Sequence, residues 1–472
     1  MKLPNGNYRI LDKDLNRISN AAFASAAAAH PWLRLGAAVL FVATMALVAV
    51  GLFSDRPGLT TIAAGMALAA WLALGIGGND VANTLGPAYG AGAISLGAGL
   101  VLAACAELAG AWFGARGVST TLTQGVLPLD KLLIGTQPAQ IMLAALLAAA
   151  VWISLCTWSR APVSTTHAIV GGIAGAGAAA YGPQEINWGG LMQIGSGWLV
   201  SPLVSALLAA ILMTVVQLRI HAAPDRYRAA LYWLSGMVAV TMGSFGLLIG
   251  LSLGALQSCL LGLTLAATSG LWTAWRIARV PRSLPRKDAL KQMLGPPLVM
   301  SVMLMAFAHG ANDVANIAGP LAVLLQSAGI YGAAINIPSF VVALAGAGIA
   351  LGVLLFGWRL VRMVGNGITR LNPVRSLCVT MASGLTVVAA SSLAMPVSIT
   401  HITVGGVFGV GLFREWDDRR RRKNHVTLPP EEMHRRHLVR RSFLFTVIAA
   451  WAVTVPVVAS LSAVIFWLLS VL

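Results

Sequence analysis

Two acidic residues, Asp80 and Asp313, lie in the middle of strongly apolar sequence. An ionised carboxylate in a lipid bilayer costs at least about 2.5–3.5 kcal/mol, so acids at such positions mark functional sites. Carboxylate oxygens and the amide oxygens of neighbouring asparagines, without sulfur, form a ligand set that suits a hard cation such as Na⁺. Helix capping is the alternative role for these residue types. The neighbouring asparagines, our candidate Na⁺ ligands, are Asn79, Asn83, Asn312 and Asn316.

A second polar motif, rich in hydroxyl groups, follows each aspartate along the chain. Pro162 and Pro396 are expected to break a helix, so that a new helix begins just after each of them. A helix N-terminus offers free N–H groups and the positive end of its dipole, and it binds an anion without Lys or Arg. We therefore predict a site for a tetrahedral oxyanion, with plain N-capping as the alternative. The hydroxyl residues are Ser164, Thr165, Thr166, Ser398 and Thr400.

Three further titratable residues accompany these motifs. His167 and His401 end the two hydroxyl runs, and a buried structural role is favoured for them over proton carriage. Glu107 is the only acid in residues 88–114. It is read as a site for a coupling cation or proton, with a neutral structural carboxyl group as an equal alternative.

An anion site beside two aspartates requires that their charge be neutralised. Bound Na⁺ would do this, or the anion itself could donate a proton to a carboxylate. Hydrogen phosphate carries such a proton, whereas sulfate at neutral pH does not. Two buried acceptors facing each other cost about 1–3 kcal/mol, so the site is expected to prefer phosphate to sulfate.

Both motifs occur twice, which indicates an internal duplication. Residues 77–87 and 310–320 are identical at eight of eleven positions, and so are residues 162–172 and 396–406. The copies are 233 and 234 residues apart, so the two motifs stay in register across about half of the chain.

The elements that position these motifs are predicted to be membrane-spanning helices. The 472 residues are 57% hydrophobic and only 10% charged, against about 25% charged residues in a soluble domain. We expect an all-α polytopic membrane protein with about 12 spans plus re-entrant segments. The net charge of +17 is concentrated in a few loops, including residues 276–291 and 414–441. The positive-inside rule places such loops in the cytoplasm, and nucleic-acid binding is not needed to explain the charge.

Loop charges also predict how the two halves are oriented. Residues 181–188 contain one acid and no base, whereas the equivalent loop at 414–441 contains ten basic and five acidic residues. Equivalent loops then lie on opposite membrane faces, so the repeats are inverted, with broken helices meeting near the midplane. The N-terminus is predicted to be cytoplasmic and the C-terminus periplasmic. The predicted parts are a cytoplasmic segment (1–34), an extra span (35–58), repeat one (59–218), connecting spans with a basic loop (219–291) and repeat two (292–472).

These motifs resemble the signatures of the inorganic phosphate transporter (PiT) family, which has a GANDVAN-type sequence in each half and a PVSTTH-type sequence after each. The resemblance covers residues 59–472 and includes residues 357–373. It implies an inverted-repeat carrier that imports phosphate with Na⁺ or H⁺, or as a neutral metal–phosphate complex. By this resemblance phosphate binding falls to Asp80, Ser164, Thr165, Thr166, Asp313, Ser398 and Thr400. Cation binding falls to Asn79, Asp80, Asn83, Glu107, Asn312, Asp313 and Asn316.

Three departures from the family pattern stand out. Ile399 replaces a second hydroxyl residue, Gly78 replaces the usual Ala, and the span near residues 35–53 is extra. We expect a secondary active transporter of the inner membrane that imports phosphate by symport and alternating access. Sulfate or a metal–phosphate complex is the alternative substrate.

An intramembrane hydrolase and a channel are both disfavoured. No group activates a nucleophile beside the two aspartates, and the polar positions are too sparse for a continuous pore. We therefore expect no enzyme activity and no cofactor beyond a coupling ion, Na⁺ or H⁺. Membrane lipid is the expected surrounding partner, and the sequence leaves open whether the protein forms a homodimer.

Overall fold

The computed structural model describes residues 9–128, 137–159, 161, 163–330, 337–364, 372–422 and 441–471. Within these residues the regular structure is entirely helical, and no strand is present. The helices are α1 (Arg9–Phe53), α2 (Leu59–Gly90), α3 (Leu96–Gln124), α4 (Gln137–Trp158), α5 (Thr165–Tyr181), α6 (Trp188–Val215), α7 (Arg226–Gly250), α8 (Ala255–Ala278), α9 (Arg286–Asp313), α10 (Ala315–Ser327), α11 (Ser339–Met363), α12 (Pro373–Ser392), α13 (Ile399–Arg422) and α14 (Arg441–Val471).

The helices have the length and composition of membrane spans. Eleven helical stretches in the described residues are long and apolar enough to cross a bilayer, with α9 and α10 forming one of them. The expectation of an all-α polytopic membrane protein is thereby confirmed. Besides these eleven, α5 has only 17 residues, and α13 ends in an arginine-rich turn. Both begin at the hydroxyl motifs in the interior of the protein.

Glycines allow very close contact in two helix crossings that correspond in the two halves. In the first crossing, α2 of the first half meets α11 of the second, and a Cβ atom added to Gly77 would lie 1.9 Å from the carbonyl oxygen of Ile349. In the second crossing, α9 of the second half meets α3 of the first, and a Cβ atom on Gly310 would lie 2.0 Å from the carbonyl oxygen of Glu107. Each crossing therefore depends on the absence of a side chain at that position. The reciprocal contacts are Gly110 with the carbonyl oxygen of Phe307 (1.9 Å) and Gly352 with that of Leu74 (2.3 Å).

Two helical hairpins carry the hydroxyl motifs. Helices α4 and α5 form the first, in which Gly172 packs against Ala145. Helices α12 and α13 form the second, in which Gly406 packs near Val379. Each hairpin also packs against a long helix at the end of the other repeat, α14 for the first and α6 for the second. The two halves thus interlock rather than lie side by side.

The helix break expected at the first aspartate motif is absent. Helix α2 continues through residues 77–87 without interruption, although they include three glycines, two asparagines and a proline. In the second half, α9 ends at Asp313 and α10 begins at Ala315, but Val314 keeps right-handed dihedral angles of φ −57° and ψ −31°. Buried backbone groups must be hydrogen-bonded, and the helix meets this requirement better than unwound chain when no water is present.

The breaks lie instead before the hydroxyl motifs. The chain leaves the helical conformation after α4 and after α12, and it resumes at Thr165 and Ile399. Pro396 lies in such a non-helical stretch, as expected, while Pro162 falls outside the described residues. Three predicted loops also fall partly outside the described residues, namely at positions 129–136, 365–371 and 423–440. Helix α1 begins at Arg9, within the segment predicted to precede the first span.

Candidate anion and cation site

The two aspartates meet in the centre of the helix bundle. One ligand atom each from Asp80, His309 and Asp313 lies within 4.8 Å of the other two, and all three side chains are buried. We call the group around them the central cluster. It consists of Asp80, Asn83, Thr165, Thr166, His309, Asp313, Asn316 and Thr400, which are all buried.

The start of α5 contributes its hydroxyl groups to the second half of the molecule. Thr165 Oγ1 donates a hydrogen bond to Asp313 Oδ2 at 3.1 Å. Thr166 Oγ1 donates to the carbonyl oxygen of Val397 at 3.1 Å and accepts from Asn316 Nδ2 at 3.4 Å. The first helix start is therefore attached to the second aspartate motif.

The start of α13 makes the corresponding contacts with the first half. Thr400 Oγ1 accepts a hydrogen bond from Asn83 Nδ2 at 2.9 Å and donates to the carbonyl oxygen of Val163 at 3.4 Å. Asn83 Nδ2 also lies within hydrogen-bond distance of Asp80 Oδ1, at 3.4 Å. Both helix starts thus cross to the opposite half, and all four sequence motifs contribute to one buried cluster.

Asn79 and Asn312 form hydrogen bonds outside the central cluster, unlike Asn83 and Asn316. Asn79 Nδ2 donates to Thr157 Oγ1 at 2.9 Å, and Asn312 Nδ2 donates to Ser391 Oγ at 3.1 Å and to the Met395 carbonyl oxygen at 3.3 Å. Each therefore ties a helical hairpin to the aspartate helix of its own half. The Oδ1 atom of both asparagines is buried without a hydrogen-bond partner, so both oxygens can still act as acceptors or cation ligands.

The two serines of the hydroxyl motifs cap their helices. Ser164 Oγ accepts from the backbone N–H of His167 at 3.2 Å, and Ser398 Oγ accepts from that of His401 at 3.4 Å. These are the N-cap contacts that stabilise a helix start. The capping alternative therefore describes the serines in this structure, whereas the threonines reach across to the other half.

The two histidines of the hydroxyl motifs contact each other. The ring centroids of His167 and His401 are 4.6 Å apart, and the indole of Trp198 stacks on His167 at 3.7 Å. His167 Nδ1 also contacts Ser164 Oγ. These buried ring contacts agree with a structural role in holding the two helix starts together.

His309 is the central residue that the sequence analysis missed. Its Nδ1 atom lies 2.7 Å from Glu107 Oε1, and its Nε2 atom lies 3.3 Å from Asp313 Oδ2. The imidazole therefore connects Glu107, which is fully buried, to the central cluster. A signal was present in the sequence, because His309 precedes Asp313 by four residues and so shares its helix face. The first repeat has Ile76 at the equivalent position, so comparison of the two motif copies does not single out His309.

The central cluster can do two kinds of chemistry. Its threonine hydroxyls, asparagine amides and two helix starts offer donors to an oxyanion. Its carboxylates, with the amide oxygens of Asn79 and Asn312 nearby, offer hard oxygen ligands to a cation. Among the contacts described above, His309 is the basic side chain that meets the aspartates, and no Lys or Arg takes part.

Comparisons with known proteins test the family resemblance of the motifs. The model of the phosphate transporter family matches residues 76–462, which include all four motifs. A proposed phosphate permease of Helicobacter pylori is 31% identical over 92% of this chain and 94% of its own. The chloroplastic inorganic phosphate transporter 2-1 of Arabidopsis thaliana is 29% identical over 84% of this chain and 70% of its own.

A solved structure extends the similarity to three dimensions. A sodium-dependent phosphate transporter superposes with a TM-score of 0.79 and 29% sequence identity, covering 88% of this chain and 100% of the other. This chain therefore belongs to the phosphate transporter family, and it is a multi-pass membrane transporter rather than an enzyme.

Proposed function

We propose that this protein imports inorganic phosphate across the inner membrane by cation symport, with alternating access to the central cluster. The observation that carries the proposal is that equivalent side chains from both halves meet in one buried cluster. A transporter needs such a site between two bodies that move relative to each other.

Phosphate is proposed to bind between the starts of α5 and α13. Thr165, Thr166 and Thr400 would turn their hydroxyl protons from their present protein acceptors to the anion. The helix starts capped by Ser164 and Ser398 supply positive dipole ends. The single P–OH group of hydrogen phosphate donates a hydrogen bond to one of the two carboxylates, Asp80 or Asp313. Sulfate at neutral pH has no proton to donate, so the same site disfavours it.

Na⁺ is proposed as the coupling ion. The solved relative is named as sodium-dependent, and the partnerless Oδ1 atoms of Asn79 and Asn312 are buried oxygen ligands, one in each half. Asn83 and Asn316, which contact the threonines, complete the proposed cation-linked set. Proton coupling through Glu107, His309 and Asp313 is the second candidate, since these three form a continuous line of titratable groups.

The inverted arrangement of the two repeats is part of this proposal. Helix α2 pairs with α11 as α9 pairs with α3, and α5 pairs with α14 as α13 pairs with α6. The tips of the two hairpins touch, through Thr166 with Val397 and Thr400 with Val163. Hairpins whose tips meet inside a bilayer would enter it from opposite faces, which supports inversion. The basic loops would then be cytoplasmic, and the C-terminus periplasmic.

The test is uptake of radiolabelled phosphate into proteoliposomes that contain the purified protein. We expect saturable uptake driven by an inward Na⁺ gradient, and its loss when choline replaces external Na⁺ at clamped pH. Persistence of uptake in choline, with dependence on a proton gradient, would establish proton coupling instead. If sulfate competes as strongly as unlabelled phosphate, the proposed selectivity for phosphate is wrong. Uptake that does not saturate would exclude a carrier.

The matched control is the same protein with Asp313→Asn, reconstituted at equal density. This change keeps the volume of the side chain and removes its charge. If the variant takes up phosphate as fast as the wild type, the charge of Asp313 in the central cluster is not needed for transport.

A further inference from the structure

Three arginines surround one tryptophan where α1 meets the end of α11. The guanidinium carbons of Arg34, Arg359 and Arg362 lie 4.8, 5.3 and 5.4 Å from the centroid of the Trp358 ring. We call these four residues the Trp358 cluster. Arg359 and Arg362 are exposed, while Arg34 and Trp358 are half-buried. The indole thus holds three positive charges close to one another.

The charge of the Trp358 cluster is not balanced by a carboxylate among the described side chains. The ion pairs found there within 4.0 Å join His309 to Glu107 and to Asp313, and neither involves the cluster. Like charges gathered around one ring repel each other, and the repulsion is stronger where lipid lowers the local dielectric. A bound anion would relieve it. Arginine is suited to phosphate in particular, because its planar fork donates two parallel hydrogen bonds.

The Trp358 cluster lies at the boundary of the predicted membrane spans. The candidate span of α1 begins at Pro31, and that of α11 ends at Met363. Arg34 is therefore in the first turn of one span, and Arg362 is in the last turn of the other. Next to Arg34, the apolar side chains of Trp32 and Leu33 are 74% and 68% exposed and face away from the protein. Tryptophan and arginine at span ends are typical of the lipid headgroup layer.

We propose that the Trp358 cluster binds the phosphate group of an anionic phospholipid. Zwitterionic lipids bring their own cation and would leave the excess positive charge in place. Inorganic phosphate has the same binding chemistry, but the exposed apolar side chains beside Arg34 provide a surface for acyl chains that a free ion does not use.

The bound lipid would also support the first aspartate motif. A Cβ atom on Gly357, which precedes Trp358, would lie 2.5 Å from Val81, and one on Gly78 would lie 2.9 Å from Phe356. The end of α11 is thus pressed directly against residues 77–87 of α2. A lipid that joins α1 to α11 at Trp358 stabilises this packing.

Binding is tested by native mass spectrometry of the delipidated protein during titration with phosphatidylglycerol or phosphatidylcholine. We expect phosphatidylglycerol to bind more tightly than phosphatidylcholine. Arg359→Gln should weaken the binding of phosphatidylglycerol about fivefold, the expected contribution of one arginine near a membrane surface. The Arg359→Gln/Arg362→Gln double variant should weaken it about twenty-fivefold. The control is Arg56→Gln, an exposed arginine beyond the other end of α1, which should leave binding unchanged.

A second arm distinguishes lipid from free phosphate. The titration is repeated with inorganic phosphate in millimolar excess, and lipid binding is expected to stay the same. Displacement of the lipid by inorganic phosphate would overturn the assignment to a lipid site. Equal binding by the double variant and the wild type would overturn the site altogether, as would equal binding of the two lipids. If the double variant does not elute as a folded species, the two single variants at exposed positions decide the question.

Discussion

Two equivalent helix crossings in this protein share a backbone geometry but differ in chemistry. Where α2 crosses α11, Gly77 lies against the carbonyl oxygen of Ile349, and where α9 crosses α3, Gly310 lies against that of Glu107. The residue before each glycine is Ile76 in the first crossing and His309 in the second. The first crossing therefore buries two isoleucines, whereas the second buries a histidine–carboxylate pair. Duplication kept the close approach of the helices, and the side chains beside it diverged.

The starts of α5 and α13 also have equivalent backbone positions that carry a polar residue in one half and an apolar residue in the other. Thr165 donates to Asp313, but the equivalent residue of the second half is Ile399, which packs in an apolar cluster with Leu304 and Ile402. Neither Thr165 nor His309 has a polar counterpart in the other half, where Ile399 and Ile76 stand, so Asp80 lies near the same threonine and imidazole as Asp313 instead of having its own pair. The two aspartates, although equivalent in sequence, are not interchangeable in their surroundings.

The largest effect is expected from neutralising either aspartate. Asp80→Asn and Asp313→Asn should each abolish phosphate uptake, because each removes a proton acceptor and a cation ligand from the central cluster. Uptake in proteoliposomes is the measurement, with the amount of monodisperse protein in the membrane as control. Retained uptake in one of the two variants would show that transport does not need that aspartate. The proposed site would then depend on the aspartate of the other half alone.

The buried pair of the second crossing, Glu107 and His309, is best tested by replacing both residues with isoleucine, the residue type found at the first crossing. Glu107→Ile or His309→Ile alone leaves a buried polar partner without compensation, and each should lower the free energy of unfolding by about 3–5 kcal/mol. The Glu107→Ile/His309→Ile double variant should recover most of this loss, since Ile76 and Ile349 already fill the same place at the first crossing. Thermal unfolding in detergent provides the measurement.

A double variant as unstable as the sum of the two singles would contradict this expectation. It would show that the second crossing cannot accept the packing of the first. The comparison between the crossings would then hold for the backbone alone.

The glycines that permit the two crossings should be equally sensitive. Gly77→Ala and Gly310→Ala each place a methyl group within about 2 Å of a carbonyl oxygen, and each should cost roughly 1–3 kcal/mol through forced separation of the helices. Gly295→Ala in α9 is the matched control, because nothing lies within 4 Å of its added methyl group. It should be neutral or slightly stabilising. Unfolding temperatures measured side by side decide the point, and a harmless substitution at Gly77 or Gly310 would argue against the close packing.

The smallest effect is expected from restoring the missing hydroxyl group. Ile399→Thr should lower stability by about 1 kcal/mol or less if its hydroxyl finds an acceptor at the helix start, as Thr165 does. Ile402→Thr, three residues further into the same apolar cluster, should cost more, because its hydroxyl is fully buried among apolar side chains. Phosphate uptake should persist in both. A larger loss of stability for Ile399→Thr than for Ile402→Thr would show that a hydroxyl group at residue 399 finds no acceptor. Residue 399 would then not be equivalent to Thr165 in its surroundings.

The class of the protein, its repeated motifs and the residue types of the proposed site could all be predicted from the amino-acid sequence. Apolar runs near 20 residues leave no alternative to membrane helices, because every backbone polar group must be satisfied within the bilayer. The repeated motifs were visible because they are local, and they identified Asp80, Asp313 and the hydroxyl residues without reference to packing.

How these residues are combined depends on the packing of the helices. Helix α2 stays intact through residues 77–87, since a buried environment favours helical hydrogen bonds over the local preferences of Gly, Asn and Pro. Glu107 and His309 are far apart in sequence, so their 2.7 Å contact depends on how α3 crosses α9. The serines cap their helices and the threonines hydrogen-bond to the other half, and this difference likewise depends on which hydroxyl faces that half. Such contacts come from the packing of distant segments, which no local pattern in the chain encodes.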